Sequence, residues 1–110
     1  MSKETLSIKT SDDRILNTYA YHPEGTSKGI VHILHGMGEH AGRYDAFSEY
    51  LSKNGLTVYA HDHRNHGKSV QDDRGVGFFA KNETFETMVE DVRVVQDYIL
   101  KNESGQPITL

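Results

Sequence analysis

Apolar residues along this chain follow two periods, and the change from one to the other marks the elements. Leu6 and Ile8, then Ile15, Asn17, Tyr19 and Tyr21, run with period two on either side of Ser11-Asp12-Asp13-Arg14, which has the turn chemistry of a hairpin. Two antiparallel strands are expected. After a polar connection over 23–29, Ile30-Val31-His32-Ile33-Leu34 is almost continuously apolar, as a strand covered on both faces is. Residues 43–54 carry Tyr44, Phe47 and Leu51 at helical spacing, and Gly55 sits where a helix end turns left-handed. Leu56-Thr57-Val58-Tyr59-Ala60 reads as a further buried strand. A second helix is expected to present Phe85, Met88, Val89, Val92, Val95 and Ile99 on one face, with Asn82 as N-cap and Glu83 and Glu86 suiting the helix dipole. Pro107-Ile108-Thr109-Leu110 reads as the entry into another strand. Alternating strands and helices imply an α/β fold, a parallel sheet with right-handed crossovers led by an antiparallel hairpin.

Composition narrows the classes of function. The 110 residues suffice for one domain, and a net charge of −4 gives no basic stripe for a phosphate backbone, so no nucleic-acid partner is expected. With no cysteine, disulfides, thiol catalysis and cysteine-based metal sites are excluded together. No run approaches the roughly 20 apolar residues that span a bilayer, and the N-terminus has no apolar leader run. A soluble, cytoplasmic chain without an integral membrane segment is the expectation.

Chemistry concentrates in two loops that follow the buried strands. His35-Gly36-Met37-Gly38-Glu39-His40-Ala41-Gly42-Arg43-Tyr44 lies between a strand and a helix, where open parallel sheets bind ligands. Its glycines let backbone N–H groups face a cleft, and the helix start behind them adds positive potential, a geometry suited to an oxyanion. The second loop is His61-Asp62-His63-Arg64-Asn65-His66-Gly67-Lys68-Ser69. Asn65 tolerates a left-handed backbone at that turn.

His-Gly-x-Gly-Glu-His followed by Gly-Arg-Tyr, with Ala60-His61-Asp62-His63-Arg64-Asn65-His66-Gly67-Lys68-Ser69 downstream, resembles the monoacylglycerol lipase and lysophospholipase-like branch of the α/β-hydrolases over about nine tenths of the chain. Relatives usually carry Gly at the position of Asn65. The resemblance implies the N-terminal part of an α/β-hydrolase fold, residues 1–110 forming an incomplete core domain that ends before the nucleophile elbow. It implies a cofactor-free serine hydrolase of carboxylic esters acting through an acyl-enzyme on a small-molecule or lipid ester. The backbone N–H of Met37 would be one oxyanion donor, with His35, Gly36, Gly38, Glu39 and Arg43 around the substrate. The family's Gly-x-Ser-x-Gly elbow does not occur in this sequence, so no catalytic Ser, Asp or His is assigned and the chain alone is expected to be inactive.

Blander uses compete with these. Glu39 and Arg43 also read as an i,i+4 ion pair, His32 as a hydrogen-bonded core residue, and Phe78 and Phe79 as core packing or an acyl-lining surface. Ser48 and Ser69 lack a strand–elbow–helix context and are not assigned as nucleophiles. Two other functions remain open. His61-x-His63-x-Asn65-His66 resembles the His-x-His-x-Asp-His signature of metallo-β-lactamase-fold hydrolases, though Asn is a weaker ligand than Asp. A non-catalytic fragment acting by association, including self-association through an open sheet edge, is the other.

Overall fold

Thr10 closes the first turn from both sides. Its N–H donates to the carbonyl of Arg14 at 2.8 Å and its carbonyl accepts from Asp13 N–H at 3.1 Å, while Asp13 takes a left-handed φ of 65°. The computed structural model describes residues 1–36, 39–69, 85–103 and 107–110. Around that turn, β1 (Ser2–Lys9) and β2 (Ile15–His22) pair antiparallel in register from Ser2 opposite His22 to Lys9 opposite Ile15. β3 (Ile30–Ile33) follows, then a 3₁₀ turn at Ala41–Tyr44 running into α1 (Asp45–Lys53). β4 (Thr57–His61), a short 3₁₀ turn at Gly67–Ser69, α2 (Phe85–Asn102) and the two-residue β5 (Ile108–Thr109) complete the described elements.

The sheet order is β1-β2-β4-β3-β5. β2 meets β4 antiparallel, whereas β3 lies parallel to both β4 and β5. This is the expected hairpin leading into a parallel sheet. Gly55 turns the chain out of α1 with a φ of 97°, as expected, and β4 begins one residue later and ends one later than the apolar run suggested. The expected helix over 43–54 divides, because residues 41–44 wind as a tighter 3₁₀ turn before α-helical bonding begins at Asp45.

Burial corrects which face of each element is inside. On β2 the core positions are Leu16, Thr18 and Ala20, not the set at 15, 17, 19 and 21, of which only Tyr21 is buried. The odd-numbered aromatics cover the opposite face, where the Lys3 ammonium lies over the rings of Tyr19 and Tyr21, and Tyr21 donates its hydroxyl hydrogen to Asp45 at 2.6 Å. On α1 the buried positions are Ser48 and Ser52, whereas Phe47 is exposed. On α2 the buried row is Met88, Asp91, Val95 and Ile99, at i, i+3, i+7 and i+11; Phe85 and Val89, expected on the core face, are exposed. Val95 and Ile99 pack with Ile8, Leu16, Ala20, Ile30 and Tyr59 in the main apolar cluster. Asn82, Glu83, Phe78 and Phe79 lie outside the described residues.

Asp91 is inside because Arg64 is. The Arg64 side chain is 1% exposed and meets Asp91 in a two-pronged pair, Nε to Oδ2 at 2.7 Å and Nη2 to Oδ1 at 2.8 Å. Its other edge donates to Asp12 at 3.0 Å through both terminal nitrogens, which holds the Asp12 carboxyl down at about 2. One guanidinium therefore ties the hairpin turn, the loop after β4 and α2 together. Removing it would strand the Asp91 carboxylate in the interior. Arg64→Ala is expected to cost about 3–5 kcal/mol of stability in urea denaturation, far more than Asp12→Ala at the half-exposed end of the same network; equal small losses in the two variants would contradict this assignment.

Candidate active site

Adjacent parallel strands deliver their following loops to the same end of the sheet, and β3 and β4 do so here. The loop after β4 is unusually polar for its depth: every residue from His61 to His66 is buried. Asp62 explains how that is possible. Its side chain accepts from Ala41 N–H at 2.7 Å, from Asn17 Nδ2 at 2.9 Å and from Lys68 N–H at 3.0 Å. Its own N–H donates to the Asn17 carbonyl at 2.8 Å, and its carbonyl accepts from the Ser69 hydroxyl at 2.9 Å. Gly67 closes over this carboxylate with a φ of 49°, and a Cβ there would lie 2.6 Å from it, so no larger residue fits. Asn65 takes the left-handed φ of 59° expected of it. Ser69 is bound up in this frame, accepting Asn17 N–H at 2.9 Å, and Ser48 is buried on α1, so neither is placed as a nucleophile.

On the β3 side, Glu39 folds back over its own loop. Its Oε1 accepts Gly36 N–H at 2.8 Å and the Tyr44 hydroxyl at 2.9 Å, while Oε2 meets Arg43 Nη1 at 3.0 Å. These donors hold the Glu39 carboxyl below its ordinary range, Gly36 N–H contributing most. The i,i+4 pair with Arg43 and the ordering of the loop are thus both present in one side chain. Met37 and Gly38 lie outside the described residues. His35, Gly36, Glu39 and Arg43 are brought to one rim. Beside them a groove of about 340 Å³ is lined by Leu34, His35, Gly36, His63, Phe85, Met88, Val89 and Val92.

The histidines form a buried run across the two loops. His32 Nε2 and His61 Nδ1 share a hydrogen bond at 3.0 Å, which places His32 in the core as expected. The ring centroids continue from His61 to His63 at 5.0 Å and from His63 to His35 at 4.3 Å. His61 Nδ1 faces His32, His63 Nε2 lies 3.1 Å from the His35 carbonyl, and His66 Nδ1 lies 2.9 Å from the Arg64 carbonyl. Among the described residues no group of three or more His, Asp or Glu is arranged to hold a metal ion. The metal-dependent alternative has no ligand set there.

Sequence reasoning missed Asp62 as the organiser of the loops and the Arg64–Asp91 pair. Asp91 gave a usable signal, since it is the one charged residue on a row that Met88, Val95 and Ile99 otherwise make apolar.

A mixed sheet of this order, with a glycine-containing loop after β3 and a polar loop after β4, defines the opening portion of an α/β-hydrolase. The chain belongs to the family described as serine aminopeptidase, S33, whose model matches residues 25–110. It is similar to the monoglyceride lipase of Mus musculus, 35% identical over 103 residues, and to that of Homo sapiens, 34% identical over 103 residues; each match covers 94% of this chain and 32% of the relative. A thermostable carboxyl esterase from Bacillus coagulans, crystallised with glycerol, superposes with a TM-score of 0.84 at 28% identity over 98% of this chain and 35% of its own. The chain thus spans about a third of the length of these relatives.

Burial sets a pH dependence for this region. It holds His32 and His63 down at about 4 and His61 well below its ordinary value. The unfolded chain takes up protons at these rings near 6.5, while the folded chain resists until far lower pH. Their contribution to stability is therefore complete above about 6.5 and is lost as pH falls toward about 4, at up to about 1.4 kcal/mol per pH unit for each ring. Urea midpoints are expected to fall between about pH 7 and about pH 5; an unchanged or higher midpoint at the lower pH would show that these rings are not buried neutral.

Proposed function

We propose that this chain supplies the oxyanion-loop half of a serine hydrolase acting on carboxylic esters of the monoacylglycerol or lysophospholipid type, through an acyl-enzyme. The observation that carries the reading is the loop at the end of β3, where the Glu39 carboxylate fixes Gly36 N–H directly before Met37. In this reading the backbone N–H of Met37 stabilises the negative oxygen that develops when a serine attacks the ester carbonyl. His35, Gly36, Gly38, Glu39 and Arg43 frame the polar end of the substrate. The groove lined by Leu34, Phe85, Met88, Val89 and Val92 offers the first apolar surface to an acyl chain.

The nucleophile, its base and the second oxyanion donor would come from outside residues 1–110, since the sequence has no Gly-x-Ser-x-Gly elbow. The 110-residue chain alone is accordingly unreactive toward a fluorophosphonate probe in this reading.

A chimera tests it, in which this chain replaces the matched segment of the mouse monoglyceride lipase. The chimera is expected to hydrolyse a monoacylglycerol. Within it, Met37→Ala keeps the backbone donor and activity of the same order, whereas Met37→Pro removes the donor and lowers kcat by roughly 10²–10³ with the fold retained by circular dichroism. Equal, severe losses in both variants would reject the backbone role, and stoichiometric labelling of the isolated chain by the probe would reject the assignment of the nucleophile to a segment outside it.

A further inference from the structure

His35 and His63 are joined by a reciprocal pair of hydrogen bonds. The backbone N–H of His63 donates to the ring Nε2 of His35 at 2.9 Å, and the ring Nε2 of His63 lies 3.1 Å from the backbone carbonyl of His35. Each ring thus reaches across to the other residue's main chain, and the two bonds fasten the loop after β3 to the loop after β4. The pairing fixes both tautomers. A ring nitrogen that accepts an N–H carries no hydrogen, so the proton of neutral His35 sits on Nδ1, from which it donates to the Gly36 carbonyl at 2.7 Å. A ring nitrogen facing a carbonyl must carry its hydrogen, so the proton of neutral His63 sits on Nε2. Its Nδ1 is buried with no hydrogen-bond partner among the described residues.

We propose that this His35–His63 clasp positions the loop after β3 only while His35 is neutral, and that proton uptake at His35 releases the loop. The clasp stands on geometry alone; its bearing on ester hydrolysis rests on the oxyanion reading above. Protonation puts a hydrogen on His35 Nε2, directly opposite the His63 N–H, so two donors face each other where one bond had been. A turned or shifted His35 then also loses its hold on the Gly36 carbonyl, one residue before Met37.

The surroundings set how readily the proton enters. From the β4 side, Asp62, His63 and His66 face His35; from its own loop, Glu39 does. From α2 the groove beside the pair receives Phe85, Met88, Val89 and Val92, all apolar. Burial and His66 oppose a charge on His35, while the Gly36 carbonyl, Asp62 and Glu39 favour it, and the balance leaves His35 below its ordinary value. His63 is held down more strongly, first by burial and then by His35. Of the two, His35 is the one that takes the proton first.

Nitrogen-15 NMR on the 110-residue chain tests this without any turnover. Near neutral pH, His35 is expected in the Nδ1–H form with a bare Nε2, and His63 in the Nε2–H form. As pH falls, the protection factor of the His63 amide should drop by about tenfold per pH unit, while amides of the β1–β2 ladder hold. In His35→Gln, the side-chain oxygen takes the place of Nε2 as an acceptor that does not titrate, and the His63 amide should stay protected through the same range. His35 found in the Nε2–H form would overturn the proposal. So would a His63 amide that loses protection only together with the β1–β2 ladder, at the same pH in the wild-type chain and in His35→Gln. Should His35→Gln fail to fold, the tautomer of wild-type His35 and the order of amide opening still decide.

Discussion

A carboxylate taken out of water must be given donors, and the arrangement of the loops after β3 and β4 follows from how Asp62 is given them. The residue is 1% exposed at the end of β4. Its side chain and main chain draw on Asn17 of β2, Ala41 at the start of the 3₁₀ turn, and Lys68 and Ser69 of its own loop. Hydrogen bonds to a charged group are worth roughly twice those between neutral groups, and leaving such a group unpaired costs still more. The chain segments that meet Asp62 are therefore held at one relative position. That position places the loop after β3 beside the loop after β4, which is what brings His35 against His63 and leaves Gly36 and Glu39 at a common rim.

The same logic repeats one layer out. Arg64, two residues past Asp62, is neutralised by Asp91 of α2 and by Asp12 of the hairpin turn, so the charged loop after β4 is anchored on both of its flanks. Against α2 the sheet is held differently, by aliphatic packing of Ile8, Leu16 and Ala20 against Val95 and Ile99. Apolar burial is non-directional and tolerates small shifts, whereas paired charges and hydrogen bonds specify distance and angle. The fold thus combines an adaptable apolar core beneath α2 with directional contacts under the two loops.

Much of this was legible in the sequence, and the exceptions have physical reasons. The hairpin, the buried β3 and β4 and the left-handed Gly55 follow from residue type and spacing alone, and the left-handed turn at Asn65 from the Gly that the family resemblance places there. The inward faces of β2 and α2 did not, because hydrophobic size was a poor guide to them. Tyr19 and Tyr21 are large but serve the α1 side, and Phe85 and Val89 are apolar yet exposed, while Asp91 is charged yet buried through a partner 27 residues away. The loop after β3 announced itself through its glycines and the family resemblance. The role of Asp62 was not readable, since its partners at 17, 41 and 68 come together only through the order β2-β4-β3 in the sheet. The histidine pair was hidden for the same reason: a bond across 28 residues leaves no local pattern.

The Asp62 carboxylate, not apolar packing, fixes the two loops. The direct measurement is amide hydrogen exchange of Ala41 and Lys68 in Asp62→Asn, with urea denaturation of the same variant. The substitution keeps the size but replaces one acceptor oxygen with an NH₂ that must face donors. Whichever of the two amides faces the new NH₂ is expected to lose protection while the β1–β2 ladder keeps it, with a stability loss of about 2–4 kcal/mol. Unchanged protection at Ala41 and Lys68, with stability equal to the wild type, would contradict it.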